Sequence, residues 1–83
     1  MGTKIFVGSL PWAVNDDALK SAFEAHGKVV SAKVITDRQT GRSRGFGFVE
    51  MSSESDASNA IQALNGSTLH GRNIIVSEAK PKG

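Results

Sequence analysis

The segment Arg44-Gly45-Phe46-Gly47-Phe48-Val49-Glu50-Met51 constrains this chain more than any other. As a β-strand, its side chains alternate between two faces. Gly47, Val49 and Met51 then share one face, as a strand packed onto a core requires. Phe46 and Phe48 fall on the opposite face, which in a one-sided sheet is the polar one. Two large rings there form an apolar patch of the kind that marks a binding surface. A chain built around this strand needs a sheet covered on one side and open to a partner on the other.

The N-terminal segment Lys4-Ile5-Phe6-Val7-Gly8-Ser9-Leu10 repeats the arrangement. Ile5 and Val7 face one way, while Lys4, Phe6 and Gly8 face the other. If the two strands are neighbours with their odd faces aligned, Phe6, Phe46 and Phe48 make one aromatic platform. Arg44 stands where the second of these strands begins, and the glycines flanking Phe46 leave its surroundings uncrowded. Flat rings beside a guanidinium suit unstacked nucleobases, because rings stack and cations meet phosphates.

The rest of the chain supplies the cover. Ser9–Val14 is a proline-punctuated loop, and Asn15 is a helix N-cap with Asp16 and Asp17 in the first turn, where the macrodipole favours anions. Leu19, Ala22 and Phe23 follow as an apolar stripe, with Gly27 as the C-cap. A strand over Val30–Thr36 turns Ala32 and Val34 inward and Lys33 and Ile35 outward. Asp37–Ser43 is a hairpin loop into the aromatic strand. Ser53 and Asp56 form an acidic capping box before Ala57, Ala60, Ile61 and Leu64, and Asn65-Gly66 stops that helix. Leu69–Arg72 is a turn, and Asn73–Glu78 is the last strand, with Ile74 and Val76 inward.

The order is β-α-β-β-α-β, an α+β, ferredoxin-like sandwich with a four-stranded antiparallel sheet and both helices on one face. Right-handed crossovers place the first and third strands side by side at its centre. The covered face takes Ile5, Val7, Ala32, Val34, Val49, Met51, Ile74 and Val76, with Leu19, Phe23, Ile61 and Leu64 from the helices. The open face keeps the three rings, flanked by Lys4, Lys33, Ile35, Asn73 and Ile75. Residues 3–79 make the single domain, and 80–83 a flexible tail.

Ile5–Leu10 and Arg44–Met51 resemble the paired hexamer and octamer signatures of the RNA recognition motif family. The octamer departs from that pattern only at Met51, where relatives carry an aromatic ring. The same pattern is found in small single-domain RNA-binding proteins of bacteria and cyanobacteria, and in plant glycine-rich RNA-binding proteins. The resemblance implies that Phe6 and Phe48 stack bases, Phe46 packs on riboses and Arg44 meets a phosphate. Lys4, Lys33, Arg42 and Lys80 complete the expected RNA-binding set.

Eighty-three residues without a cysteine must hold their fold by core packing alone, with no disulfide or thiolate metal site. No apolar run approaches the ~20 residues of a membrane span, and no secretory h-region follows Met1. The expected chain is soluble, cytoplasmic and monomeric, with no membrane or small-molecule partner and no cofactor. A net charge of +2 says little, but its distribution says more. Arg38, Arg42 and Arg44 cluster apart from Asp16, Asp17, Glu24, Glu54 and Asp56, which suggests one basic and one acidic face.

Several weaker signals resolve into structural readings. Gly45-Phe46-Gly47 begins like a dinucleotide fingerprint, but Glu50 replaces the third glycine and no helix opens there. Asn65-Gly66-Ser67 spells a glycosylation acceptor, yet serves as a helix stop. Trp12 anchors its loop, and His26 and His70 are surface residues. No nucleophile–base constellation suggests an enzyme. The expected function is binding of single-stranded RNA on the open face. Two alternatives stay open at this point: single-stranded DNA binding, and a protein-interaction module of the same fold.

Overall fold

Strand alternation and helix caps organise the chain as expected, and the departures have local physical causes. The computed structural model describes residues 3–11, 13–41, 43–69 and 71–79, with Ser43 and Arg44 described by backbone alone. The expectations for Trp12, Arg42, His70, Lys80–Gly83 and the Arg44 side chain fall outside those residues. The elements are β1 (Lys4–Gly8), α1 (Asp16–Glu24), β2 (Val29–Thr36), β3 (Ser43–Met51), α2 (Glu54–Leu64), β4 (Thr68–Leu69), β5 (Arg72–Asn73) and β6 (Ile75–Glu78). Four of them form an antiparallel sheet in the order β2-β3-β1-β6, with β1 and β3 inside. The fold is the ferredoxin-like β-α-β-β-α-β sandwich.

Both helices cover one face. Leu19 and Phe23 of α1 and Ala57 and Ala60 of α2 join Ile5, Val7, Val34, Val49, Met51, Ile74 and Val76 in one buried cluster. Ala32, Ile61 and Leu64 pack against it half-buried. Leu10, Val14 and Val29 are also in this core, although the sequence pattern did not place them there. Leu10 is held by its N–H, which donates to the Gly45 carbonyl at 2.8 Å.

The caps behave as the sequence suggests, with one exception. Asn15 Oδ1 accepts the Ala18 N–H at 2.8 Å, and Ser53 Oγ accepts the Asp56 N–H at 3.1 Å. The Asp56 carboxylate does not turn back to complete a capping box. It accepts the Lys28 N–H at 3.3 Å and the Ser52 hydroxyl at 3.2 Å, which ties α2 to the start of β2. This close approach explains Gly27, where an added Cβ would lie 2.7 Å from Asp56 Cβ. Gly27 is therefore not the cap of α1, which ends at Glu24 with Ala25 as C-cap. Asp16 Oδ1 accepts the Val34 N–H at 2.7 Å and pins α1 to the edge strand.

Two irregularities displace the expected register. Val29 pairs with Met51 and Ser31 with Glu50, so Val30 is an extra residue, a β-bulge, and is 58% exposed. The strand thus starts one residue earlier than its alternation predicts, with Val29 inward. Farther on, Val34 pairs with Gly47 and Thr36 with Ser43, so β3 carries the surplus residues there. Gly45 sits in that irregular stretch at φ 86°, a left-handed conformation that costs other residues about 1–2 kcal/mol.

The last strand also differs. Arg72–Asn73 pairs with Thr68–Leu69 as a small separate hairpin, and Thr68 Oγ1 donates to Asn73 Oδ1 at 3.0 Å. Asn73 therefore leaves the open face where alternation had put it. Ile74 connects the hairpin to β6, its N–H donating to the Ser67 carbonyl and its carbonyl accepting from Gly66. Asn65, the expected helix stop, also accepts the Val76 N–H at 3.1 Å.

Gly47 has a packing role rather than the uncrowding role suggested by its position beside Phe46. On the helix side, a Cβ there would lie 2.5 Å from the Lys33 carbonyl oxygen and 3.3 Å from Leu19 Cδ2. Because the first obstacle is backbone, Gly47→Ala is expected to cost roughly 1–3 kcal/mol in a urea melt. A variant as stable as wild type would show that β2 and β3 have room to spare.

Candidate nucleic-acid interface

The strand register aligns the odd faces of β1 and β3. Phe6 stands directly opposite Phe48, and Gly8 opposite Phe46. The ring centroids are 5.8 Å apart for Phe6–Phe48, 6.0 Å for Phe6–Phe46 and 6.2 Å for Phe46–Phe48. Two of these pairs meet edge-on, at 64° and 87°, an orientation the ring quadrupoles favour. The three rings brace one another, so the platform exists before any ligand arrives. Phe48 is 42% exposed, while Phe6 and Phe46 are half-buried.

Gly8 makes this packing possible. A Cβ there would come within 3.0 Å of the Phe6 ring and 3.9 Å of Ile75 Cβ, so the ring lies over bare backbone. The open face is laid out in cross-strand rows. Lys33, Phe48, Phe6 and Ser77 form the middle row; Phe46, Gly8 and Ile75 form the row on one side. On the other side stand Ser31, Glu50 and Lys4. Ile75, at 55% exposure, extends the apolar surface onto β6.

Of the expected set, the structure brings together Phe6, Phe46, Phe48, Lys4 and Lys33, with both lysines exposed. Arg44 is placed by its backbone on β3, while Arg42 and Lys80 lie outside the described residues. The sequence reading missed Ser77 and Glu50. Both were accessible to it, since Ser77 shares the parity of Ile75 and Glu50 that of Phe48. Among the described residues, no three His, Asp or Glu side chains converge as a metal site requires, and no helix is long and apolar enough to cross a membrane.

The profile of the family described as RNA recognition motif matches residues 5–75. The chain belongs to the RNA recognition motif family. It is 56% identical over 79 residues to the chloroplastic 28 kDa ribonucleoprotein of Spinacia oleracea, covering 95% of this chain and 34% of that protein. It is 51% identical over 80 residues to the glycine-rich RNA-binding, abscisic acid-inducible protein of Zea mays, covering 96% of this chain and 51% of that one. The chain thus spans between a third and about half of these two relatives. Among solved structures, an Sxl-lethal protein/RNA complex superposes with a TM-score of 0.92 at 36% identity, over 100% of this chain and 50% of that one. The aromatic positions of hexamer and octamer lie side by side on the two inner strands.

Proposed function

We propose that this domain binds short single-stranded RNA on the open face of its sheet, by stacking and phosphate contact and without catalysis. The observation that carries this reading is the cluster of Phe6, Phe46 and Phe48, mutually within 6.2 Å on a face the helices leave uncovered. Phe6 and Phe48 stack bases, and Phe46 packs on riboses. Arg44, Arg42, Lys33 and Lys80 neutralise phosphates, and Lys4 meets the RNA beside the rings. Stacking contributes roughly 1–3 kcal/mol per base, enough for two rings to dominate the affinity. The RNA named in the Sxl-lethal complex and the names of the plant relatives support this reading.

A protein-interaction role for this surface fits poorly with three clustered rings presented beside lysines. Single-stranded DNA is the closer competitor, since stacking is blind to the sugar. Titration with RNA and DNA oligomers of one sequence tests the proposal. Tighter binding of RNA is expected; equal binding would assign the domain to single strands generally, and no binding of either would overturn the reading.

Arg44→Ala is expected to weaken all RNA sequences about equally. The slope of log affinity against log salt should fall by about 0.7, the share of one single-strand phosphate contact. An unchanged slope with altered sequence preference would make Arg44 a base reader. The domain acts as a monomer in this reading, which sedimentation of the free chain checks. We place it inside the cell; imaging of a tagged chain separates the cytoplasm from an organelle such as that named for the spinach relative.

A further inference from the structure

The row of the open face formed by Ser31, Glu50 and Lys4 borders the rings, yet it contains a carboxylate. Glu50 lies between Val49 and Met51, both buried, and therefore rises on the same face as Phe48, about 7 Å along the strand. Lys4 stands opposite it on β1, where facing Cβ atoms are about 5 Å apart. Among the described residues the two form no ion pair, and the Glu50 carboxylate accepts no hydrogen bond. A negative charge beside a phosphate-binding surface opposes affinity for any polyanion. Its position has a purpose if it reads a base.

We propose that Glu50 and Lys4 read the Watson–Crick edge of a guanine stacked on Phe48, an inference that rests on the RNA-binding reading above. A carboxylate only accepts hydrogen bonds, and an ammonium only donates them. Guanine offers two adjacent donors, N1–H and the N2 amine, which match the two oxygens of Glu50. Its O6, next along the same edge, accepts from the Lys4 ammonium. Adenine and cytosine each set one amine beside a ring-nitrogen acceptor, which would face a carboxylate oxygen. Uracil sets a single N–H between two carbonyls. Only guanine therefore satisfies both oxygens of Glu50 while presenting an acceptor to Lys4, and the unstacked bases of a single strand expose this edge for reading.

The test is titration of the full chain with short uridine oligomers carrying guanine, adenine, cytosine or inosine at one position. Wild type is expected to favour guanine by about ten- to a hundredfold, the discrimination of a good bidentate contact. Inosine, which lacks the N2 amine, should lose most of that preference. Glu50→Gln swaps one acceptor for a donor, so it should collapse the guanine preference while raising affinity for the all-uridine oligomer. A guanine preference that survives Glu50→Gln overturns the proposal. So does an equal gain for every oligomer, which would make Glu50 a bare charge. Binding without any base preference overturns this proposal and leaves RNA binding standing. No binding by any oligomer overturns both.

Discussion

Met51→Ala is expected to destabilise the domain by roughly 2–5 kcal/mol while the folded fraction still binds RNA with near-normal affinity. Met51 is 1% exposed and lies in the core cluster, opposite Val29 in the register. Truncating it leaves a cavity in the core under the end of β3. Small domains hold only about 5–15 kcal/mol in all, so the upper end of this range would leave little folded protein. Met51→Leu nearly conserves volume and should cost less than about 1.5 kcal/mol. Urea melts and RNA titrations of both variants, at a temperature where each is folded, check the pair. Intact stability with abolished binding would put Met51 on the RNA side and reverse both faces. A methionine suits this buried position, because its flexible thioether adapts to the space its neighbours leave.

Phe48→Ala is expected to do the opposite. Its ring is the most exposed of the three and meets the others only edge-on. Removing it should cost about 1 kcal/mol of stability, the scale of one or two aromatic pair contacts. RNA affinity should fall by about 1–3 kcal/mol, the worth of a stacked base. Phe6→Ala should lose similar affinity but more stability, since Phe6 is half-buried, touches both other rings and overlies Gly8. Melts beside titrations separate the two effects. A stability loss near the roughly 3–5 kcal/mol of a buried phenylalanine would show that Phe48 belongs to the core.

The parts of this fold legible in the sequence are those governed by short-range periodicity. Ile5 and Val7 against Phe6, and Val49 and Met51 against Phe46 and Phe48, declared both faces of both inner strands. Asn15 and Ser53 declared the helix starts, because a cap acts within three residues of itself. What stayed hidden depends on partners distant in sequence. The pair Val29-Val30 offers two equivalent apolar residues, and only the pairing to β3 decides which is the bulge. Gly27 and Gly47 look like ordinary turn and strand glycines until Asp56, Lys33 and Leu19 arrive beside them. The β4–β5 hairpin has two residues in each strand, too few for any alternation to register. Leu10 and Val14, read as loop, are buried because the loop folds back over the core.

The same interval separates what was legible in the site. The rings were found by parity, and the two lysines followed from it. Glu50 carries the same parity, but a carboxylate is not what a phosphate-binding face calls for.

The strand order has a consequence for how the site is lost. All three rings are carried by β1 and β3, whose backbones are hydrogen-bonded to a neighbour on both sides. Fraying begins at edges, and here the edges are β2 and β6, which carry none of the rings. The amides that join β1 to β3, those of Ile5 and Val49, should therefore exchange with solvent only through opening of the whole domain. The strands that carry the rings are thus expected to be the last of the sheet to open. A mutation that weakens the core thins the population of competent molecules without softening the surface of those that remain.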